Sequence, residues 1–217
     1  VAMVGTGATA VQIVPEIADD VAELIVFQRH PVWVGAKKDL EYTAAEREEF
    51  RRNPVALKRI REDLYESWEK TSIELHHAGT HVNTTAEMRA RAQIERSVSD
   101  LEIAKALTPT HNFACKRPTI SSRYYQTFDK ENVTLVTGAV KSLTQSGVVS
   151  NGQHYDVDVI IFATGFKPFN ITNEIDVTGA GGLPLADAWQ NQVTSYKSVM
   201  VHDFPNLFMM MGPNGTG

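Results

Sequence analysis

Val1-Ala2-Met3-Val4-Gly5-Thr6-Gly7-Ala8-Thr9-Ala10 is the stretch that decides the fold. Val1 to Val4 is an apolar run that predicts a strand, and Thr9 to Ala18 carries Val11, Val14 and Ala18 on one helical face. Gly5-x-Gly7-x-x-Ala10 therefore joins a strand to a helix. In that setting Gly5 permits a tight turn and Gly7 lets the backbone approach a pyrophosphate. Free N–H groups at the helix start then face the anion. Ala10 replaces a third glycine and slightly widens the strand–helix contact. The plainer alternative is a Gly-rich turn that binds nothing, and the flanking strand, helix and second strand weigh against it.

The second strand follows at Leu24 to Phe27, a short apolar run expected of a strand buried on both faces. Its exit selects between coenzymes. Domains that bind NAD place Asp or Glu there to hold the ribose 2′-OH. Here the exit reads Gln28-Arg29-His30, with no acid and with a cation. A carboxylate would repel a 2′-phosphate, whereas an arginine grips it bidentately, so Arg29 points to NADPH over NADH. A solvated surface arginine is the alternative.

Beyond that strand the composition changes. Residues 38–107 hold 14 of the 26 acidic and 12 of the 21 basic residues, a block strongly charged but mixed in sign. Two capping boxes are visible, Thr43-Ala44-Ala45-Glu46 and Thr84-Thr85-Ala86-Glu87. Leu57, Ile60, Leu64, Trp68 and Leu75 recur at helical spacing between them, and Ile94, Val98, Leu101 and Ala104 do so after the second. This predicts three amphipathic helices inserted into an α/β domain, with Trp68 in the core. From Thr108 the α/β pattern returns. Thr108 to Pro118 reads as loop, Ser121 to Phe128 as a short helix, and Val133 to Val136 as a strand. Val140 to Leu143, Gly147 to Ser150 and His154 to Val157 read as short antiparallel strands, with Asn151-Gly152 as one turn. Val157 to Ala163 is expected to be a buried strand, residues 167–198 mostly irregular, and Met209-Met210-Met211 a buried strand. The fold class is α/β: a Rossmann-like three-layer dinucleotide-binding domain with a helical insertion. Its expected division is 1–37 with 108–166 for the coenzyme domain, 38–107 for the insertion and 167–217 for a return segment.

With 217 residues, 42% hydrophobic and 22% charged, the chain is long and apolar enough for a packed core. Its net charge of −5 gives no reason to expect nucleic acid or an anionic membrane as partner. Cys115 is the single cysteine, so no internal disulfide forms, which favours a reducing, cytoplasmic setting. No apolar run approaches the roughly 20 residues of a membrane span. The chain opens on Val1 and stops at Gly217 in mid-pattern, and both ends read as cuts through a longer protein.

Four stretches taken in order carry a resemblance: Gly5 to Ala10, Val26-Phe27-Gln28-Arg29, Cys115-Lys116-Arg117-Pro118 and Ala163-Thr164-Gly165-Phe166. Phe204-Pro205-Asn206-Leu207-Phe208 and Gly212-Pro213-Asn214 extend it over nearly the whole chain. The sequence resembles Baeyer–Villiger monooxygenases and their flavin-containing monooxygenase relatives. The resemblance implies a two-dinucleotide flavoprotein in which the NADP domain is inserted into a FAD domain, most of the latter lying outside this chain. It implies that Gly5, Thr6, Gly7, Ala8, Thr9 and Gln12 meet the coenzyme at the turn. Arg29, with His30 beside it, and Lys116 would hold the 2′-phosphate, and Ala163-Thr164-Gly165 would form a hinge-like link between domains. Arg117 would be the active-site arginine beside flavin and nicotinamide. The reaction implied inserts one oxygen atom of O2 into a ketone, through anionic species that a permanently protonated arginine stabilises. His30 departs from the Thr or Ser usual after the phosphate-binding arginine. The Phe-Gly-His-Trp fingerprint and the FAD-binding Gly-rich turn are absent from the chain. On this reading the chain alone binds NADPH weakly or not at all and does not turn over.

Two other functions stay open at this point. One is a heteroatom hydroxylase acting on amines or sulfides, which would not require a cation at Arg117. The other is a non-catalytic NADP-binding module. His76, His77 and His81 lack a carboxylate or cysteine to complete a metal site, so none is expected. Cys115 has no second cysteine for redox work and reads as a small, partly buried residue. Trp33 and Trp189 are weak candidates for a pocket.

Overall fold

The computed structural model describes residues 1–37, 41–166, 175–213 and 215. The chain forms two compact units, Val1–Gly165 and Phe166–Gly217. The first unit opens with β1 (Ala2–Val4), α1 (Ala8–Ile17), β2 (Leu24–Gln28) and β3 (Val34–Gly35). The helices α2 (Ala44–Arg52), α3 (Pro54–Leu75), α4 (His81–Ser97) and α5 (Leu101–Leu107) follow. Then come β4 (Thr119–Ile120), a 3₁₀ turn at Tyr125–Asp129, β5 (Val133–Thr137), β6 (Val140–Leu143), β7 (Gly147–Ser150), β8 (Gln153–Asp156) and β9 (Ile160–Phe162).

Four of these strands build one parallel sheet in the order β5-β2-β1-β9. Strand alternation divides its side chains between two faces. Met3, Leu24 and Val26 join Val11 and Val14 of α1, Ala18 just beyond it, and Ala90 and Ile94 of α4 in one core. Ala2, Ile25 and Phe27 face the other way and pack with Val136, Val148 and Tyr155. That second face is covered by an antiparallel meander, β6-β7-β8, and the Phe27 and Tyr155 rings meet edge to face at 5.2 Å. The three layers are thus helices, sheet and meander. β2 is buried on both faces, in keeping with its unbroken Leu-Ile-Val-Phe run.

Among the described residues, 41–107 hold four helices rather than the three expected. Thr43 and Glu46 form the expected capping box. Thr84 and Glu87 do not: α4 starts a turn earlier, where the Thr80 side chain accepts from the Asn83 N–H, and Glu87 lies inside the helix. Helix α3 buries none of its residues within this chain, and Trp68 is 64% exposed. Its helical period is real, but an apolar stripe records a need for cover and not where the cover comes from. The Ser121–Phe128 region makes only the 3₁₀ turn, and Tyr124, Tyr125 and Phe128 anchor it in the core. Trp33 is likewise core, its Nε1 donating to the His111 carbonyl at 2.9 Å. β9 is shorter than expected and only half-buried, with Phe162 exposed, because it has a ladder partner on one side alone.

The second unit is organised around Leu185, Trp189 and Phe204. Trp189 is buried there, its Nε1 donating to the Thr194 carbonyl at 2.9 Å, so it is a core anchor and not a pocket wall. Met209 to Met211 form no strand, and Met210 and Met211 are exposed. No helix among the described residues is long and apolar enough to cross a membrane.

Candidate functional site

In the parallel sheet, the order β5-β2-β1-β9 means that successive strands step outward from β1 in one direction and β9 then returns to its other side. Such a reversal opens a crevice at the carboxyl ends of the strands. A cavity of about 390 Å³ occupies that place, walled by the four strand exits. Gly5, Thr6 and Gly7 leave β1, Arg29 and His30 leave β2, Gly138 and Ala139 leave β5, and Ala163, Thr164 and Gly165 leave β9. Lys116 reaches it from the loop before β4.

The turn is built by backbone constraints. Gly5 has φ +110°, outside the range of ordinary L residues, and a Cβ there would fall on the carbonyl of Ala163. The Gly5 N–H donates to the Phe27 carbonyl at 3.1 Å, and the Ala163 N–H donates to the Val4 carbonyl at 2.8 Å. Thr6 is buried, and its hydroxyl donates to the His30 carbonyl at 2.9 Å, which ties the turn to the exit of β2. Gly7 differs from Gly5: its φ is −76°, and a Cβ there would meet nothing within 4 Å. The position faces open space, so what favours glycine is whatever occupies that space. No side chain caps α1 and no acid stands in its first turn, so its leading N–H groups are left for an anion.

The mouth is basic. Arg29, His30 and Lys116 are exposed around it, and among the described residues no carboxylate lines it. His111 stands beside this group; burial first, and then the charge of Lys116, hold its imidazole below the ordinary range. A dinucleotide fits the residues present: open space at Gly7 for a phosphate, free N–H groups facing it, and three cationic or titratable side chains at one rim.

The structure therefore brings Gly5, Thr6, Gly7, Arg29, His30, Lys116, Ala163, Thr164 and Gly165 together. It leaves others outside this cavity. Ala8 and Gln12 line a neighbouring cavity with Lys37 and Arg123. The Gln12 amide donates to the Ala8 carbonyl at 3.0 Å, within its own helix. Thr9 is exposed on α1 and walls neither cavity, because the helix turns it away from the strand exits. Arg117 is exposed and does not line the cavity that its neighbour Lys116 enters. Cys115 is exposed rather than partly buried. Helix α3 ends at Leu75, so His77 lies in the link between helices while His81 starts α4, and their spacing is not that of a single helix face. Among the described residues no cluster of His, Cys, Asp and Glu suits a metal. Sequence reasoning missed Val32, Gly138, Ala139 and Val140 as walls and His111 as a neighbour. The one available signal was the glycine that follows the β5 run.

No protein-family model matches the chain. A Baeyer–Villiger monooxygenase of Pseudomonas aeruginosa is 36% identical over 215 residues, which is 99% of this chain and 41% of that protein. The structure of OTEMO in complex with FAD and NADP superposes with a TM-score of 0.81 at 27% identity, over 98% of this chain and 46% of that one. Oxidized steroid monooxygenase bound to NADP gives 0.81 at 27% identity, over 98% and 47%. The chain thus spans less than half the length of each of these relatives. Over the stretch it does span, the chain is similar in sequence and in fold to Baeyer–Villiger monooxygenases.

Proposed function

We propose that this chain is the NADP(H)-binding portion of a FAD-dependent monooxygenase that inserts one oxygen atom of O2 into a ketone to give an ester or lactone. The observation that carries the reading is the crevice at the sheet's reversal, with open space at Gly7 and Arg29, His30 and Lys116 on its rim. When bound, NADPH supplies hydride and FAD activates O2. The residues of this chain have other tasks. Helix N–H groups past Gly7 face the pyrophosphate, and Arg29 and Lys116 neutralise the 2′-phosphate. Arg117 is the fixed cation offered to the reacting centre; it stays protonated at working pH and so stabilises negative charge without donating its proton. FAD is held mainly by parts of the longer protein outside this chain, and Ala163-Thr164-Gly165 is the hinge-like link toward that domain. The substrate is a small-molecule ketone, with no nucleic acid or membrane as partner. The single cysteine supports a cytoplasmic location.

Arg29→Ala tests the coenzyme assignment. Calorimetric titration at millimolar coenzyme should show NADP⁺ binding weakened by about 1.5–3 kcal/mol, the worth of a charge-assisted contact, and NAD⁺ binding unchanged. Wild-type protein that binds NAD⁺ as tightly as NADP⁺ overturns the assignment. In the full-length enzyme, Arg117→Ala should abolish ketone oxidation while NADPH binding persists; undiminished lactone formation would remove Arg117 from the reaction.

A further inference from the structure

Lys116 stands on a stretch, residues 108–118, that has neither helix nor strand to fix it. Two residues of that loop are nevertheless gripped by side chains from elsewhere. The Phe113 N–H donates to Glu87 Oε2 at 3.2 Å, and the Phe113 carbonyl accepts from Asn83 Nδ2 at 2.8 Å. The His111 carbonyl accepts from Trp33 Nε1 at 2.9 Å. Asn83 and Glu87 lie four residues apart on α4, so one helix face holds both the N–H and the carbonyl of Phe113.

The grip is itself braced. Asn83 is 2% exposed, and its Nδ2 also donates to the Leu75 carbonyl at 2.7 Å, at the end of α3. Glu87 Oε1 accepts from Arg91 Nε at 3.1 Å and Nη2 at 2.9 Å. The Arg91 guanidinium in turn lies over the Trp33 ring at 5.0 Å. Immediately after Phe113, Ala114 takes φ +61°, an unusual conformation for alanine that a held neighbour sustains. Lys116 follows two residues later. A lysine has a long stem with much rotamer freedom, so its worth to a phosphate depends on how firmly its backbone is held.

We infer that Asn83 and Glu87 are positioning residues for the 2′-phosphate: through Phe113 the helical insertion sets where Lys116 stands, and so contributes to the preference for NADP(H). The inference rests on the proposed coenzyme reading. Its test compares wild type with Glu87→Ala, Asn83→Ala, the conservative Glu87→Gln, and Lys116→Ala as reference. Two quantities are measured: amide hydrogen exchange of residues 111–117 against that of β1 and β2, and affinity for NADP⁺ and NAD⁺. Glu87→Ala should speed exchange in the loop and not in the strands. It should also weaken NADP⁺ by about tenfold, one charge-assisted contact, and leave NAD⁺ within about twofold. Combined with Lys116→Ala it should add no further loss, and Glu87→Gln, which still accepts from Phe113, should restore both quantities. Asn83→Ala should match Glu87→Ala, and since Glu87 is the more exposed of the two, its variant keeps the test independent of folding losses at Asn83. Unchanged loop exchange in Glu87→Ala, an equal loss of NAD⁺ affinity, or losses that add to those of Lys116→Ala would overturn the positioning role. Wild type that fails to prefer NADP⁺ while the loop loosens as expected would instead overturn the coenzyme reading and keep the grip.

Discussion

Gly5 and Gly7 share one turn but answer to different constraints, and alanine at each separates folding from binding. At Gly5 alanine must adopt φ +110° and place its Cβ on the Ala163 carbonyl. The backbone conformation alone costs about 1–2 kcal/mol. Moving two strand exits apart to relieve the overlap brings the total to roughly 3 kcal/mol, with a fall in Tm of about 6–12 °C for a chain of this size. At Gly7 the conformation is ordinary and a Cβ meets nothing. Reduced freedom of the unfolded chain contributes about 0.4–1 kcal/mol. Alanine is a poorer residue than glycine at a helix N-cap, by about 0.5–1 kcal/mol. The two nearly cancel, so Tm should stay within about 3 °C. Binding should behave in the opposite manner, because the new methyl stands where a pyrophosphate would approach. We expect Gly7→Ala to weaken NADP⁺ at least about tenfold, equivalent to 1.4 kcal/mol. Differential scanning calorimetry gives the first quantity and isothermal titration the second. A Gly7→Ala protein of wild-type stability that binds NADP⁺ like wild type would refute the placement of the phosphates at this turn.

His111 and Trp68 offer two further predictions. Burial and the charge of Lys116 hold the His111 imidazole low, so the folded state favours its neutral form; as pH falls below about 6.5 the unfolded chain takes up the proton first and stability declines. A bound polyanion opposes that shift, so NADP⁺ should bind with His111-linked proton uptake and tighten as pH falls toward and below about 6.5, less so in His111→Gln. Titrations in buffers of different ionisation enthalpy count the protons, and net release would contradict the placement. At Trp68, the exposed ring predicts that Trp68→Ser in this chain changes stability by less than about 0.5 kcal/mol and removes the most quenchable part of the tryptophan fluorescence. A large loss of stability would show that α3 is covered within the chain.

The strands of the parallel sheet were legible because each announces itself locally, whereas their order and its reversal were read only from the fold. Leu24 to Phe27 is apolar without interruption, and only a strand covered on both sides tolerates that. The meander was legible from its turn, where Asn151 takes φ +51° and its side chain donates to the Thr137 carbonyl at 2.8 Å. Burial in the insertion was not legible. Leu57, Leu64 and Trp68 give the right helical period, but periodicity reports which face is apolar and says nothing of the surface that meets it. Thr84 and Glu87 show the converse failure. Their spacing satisfies a capping box, yet the helix was already under way, and the glutamate is used to hold Phe113 in a distant loop.

The same distinction explains which parts of the site a reader of sequence recovers. Gly5 and Gly7 are found because they stand in the turn between a strand and a helix that the local pattern announces, although what requires glycine at each, the Ala163 carbonyl and the open space, is seen only in the fold. Arg29 is found because it stands at a strand exit, which the sheet's construction places at the crevice. Gln12 and Thr9 lie close in sequence to the turn but leave it by helical rotation, at 100° per residue, and proximity in the chain becomes distance from the mouth. Arg117 shows how fine that division is, since its neighbour Lys116 walls the cavity and it does not. Asn83 and Glu87 are at the far extreme. Nothing near them in sequence suggests a coenzyme, and their partner Phe113 lies 30 and 26 residues away. A residue that acts by holding another's backbone leaves no chemical signature of its own, and only coordinates reveal it.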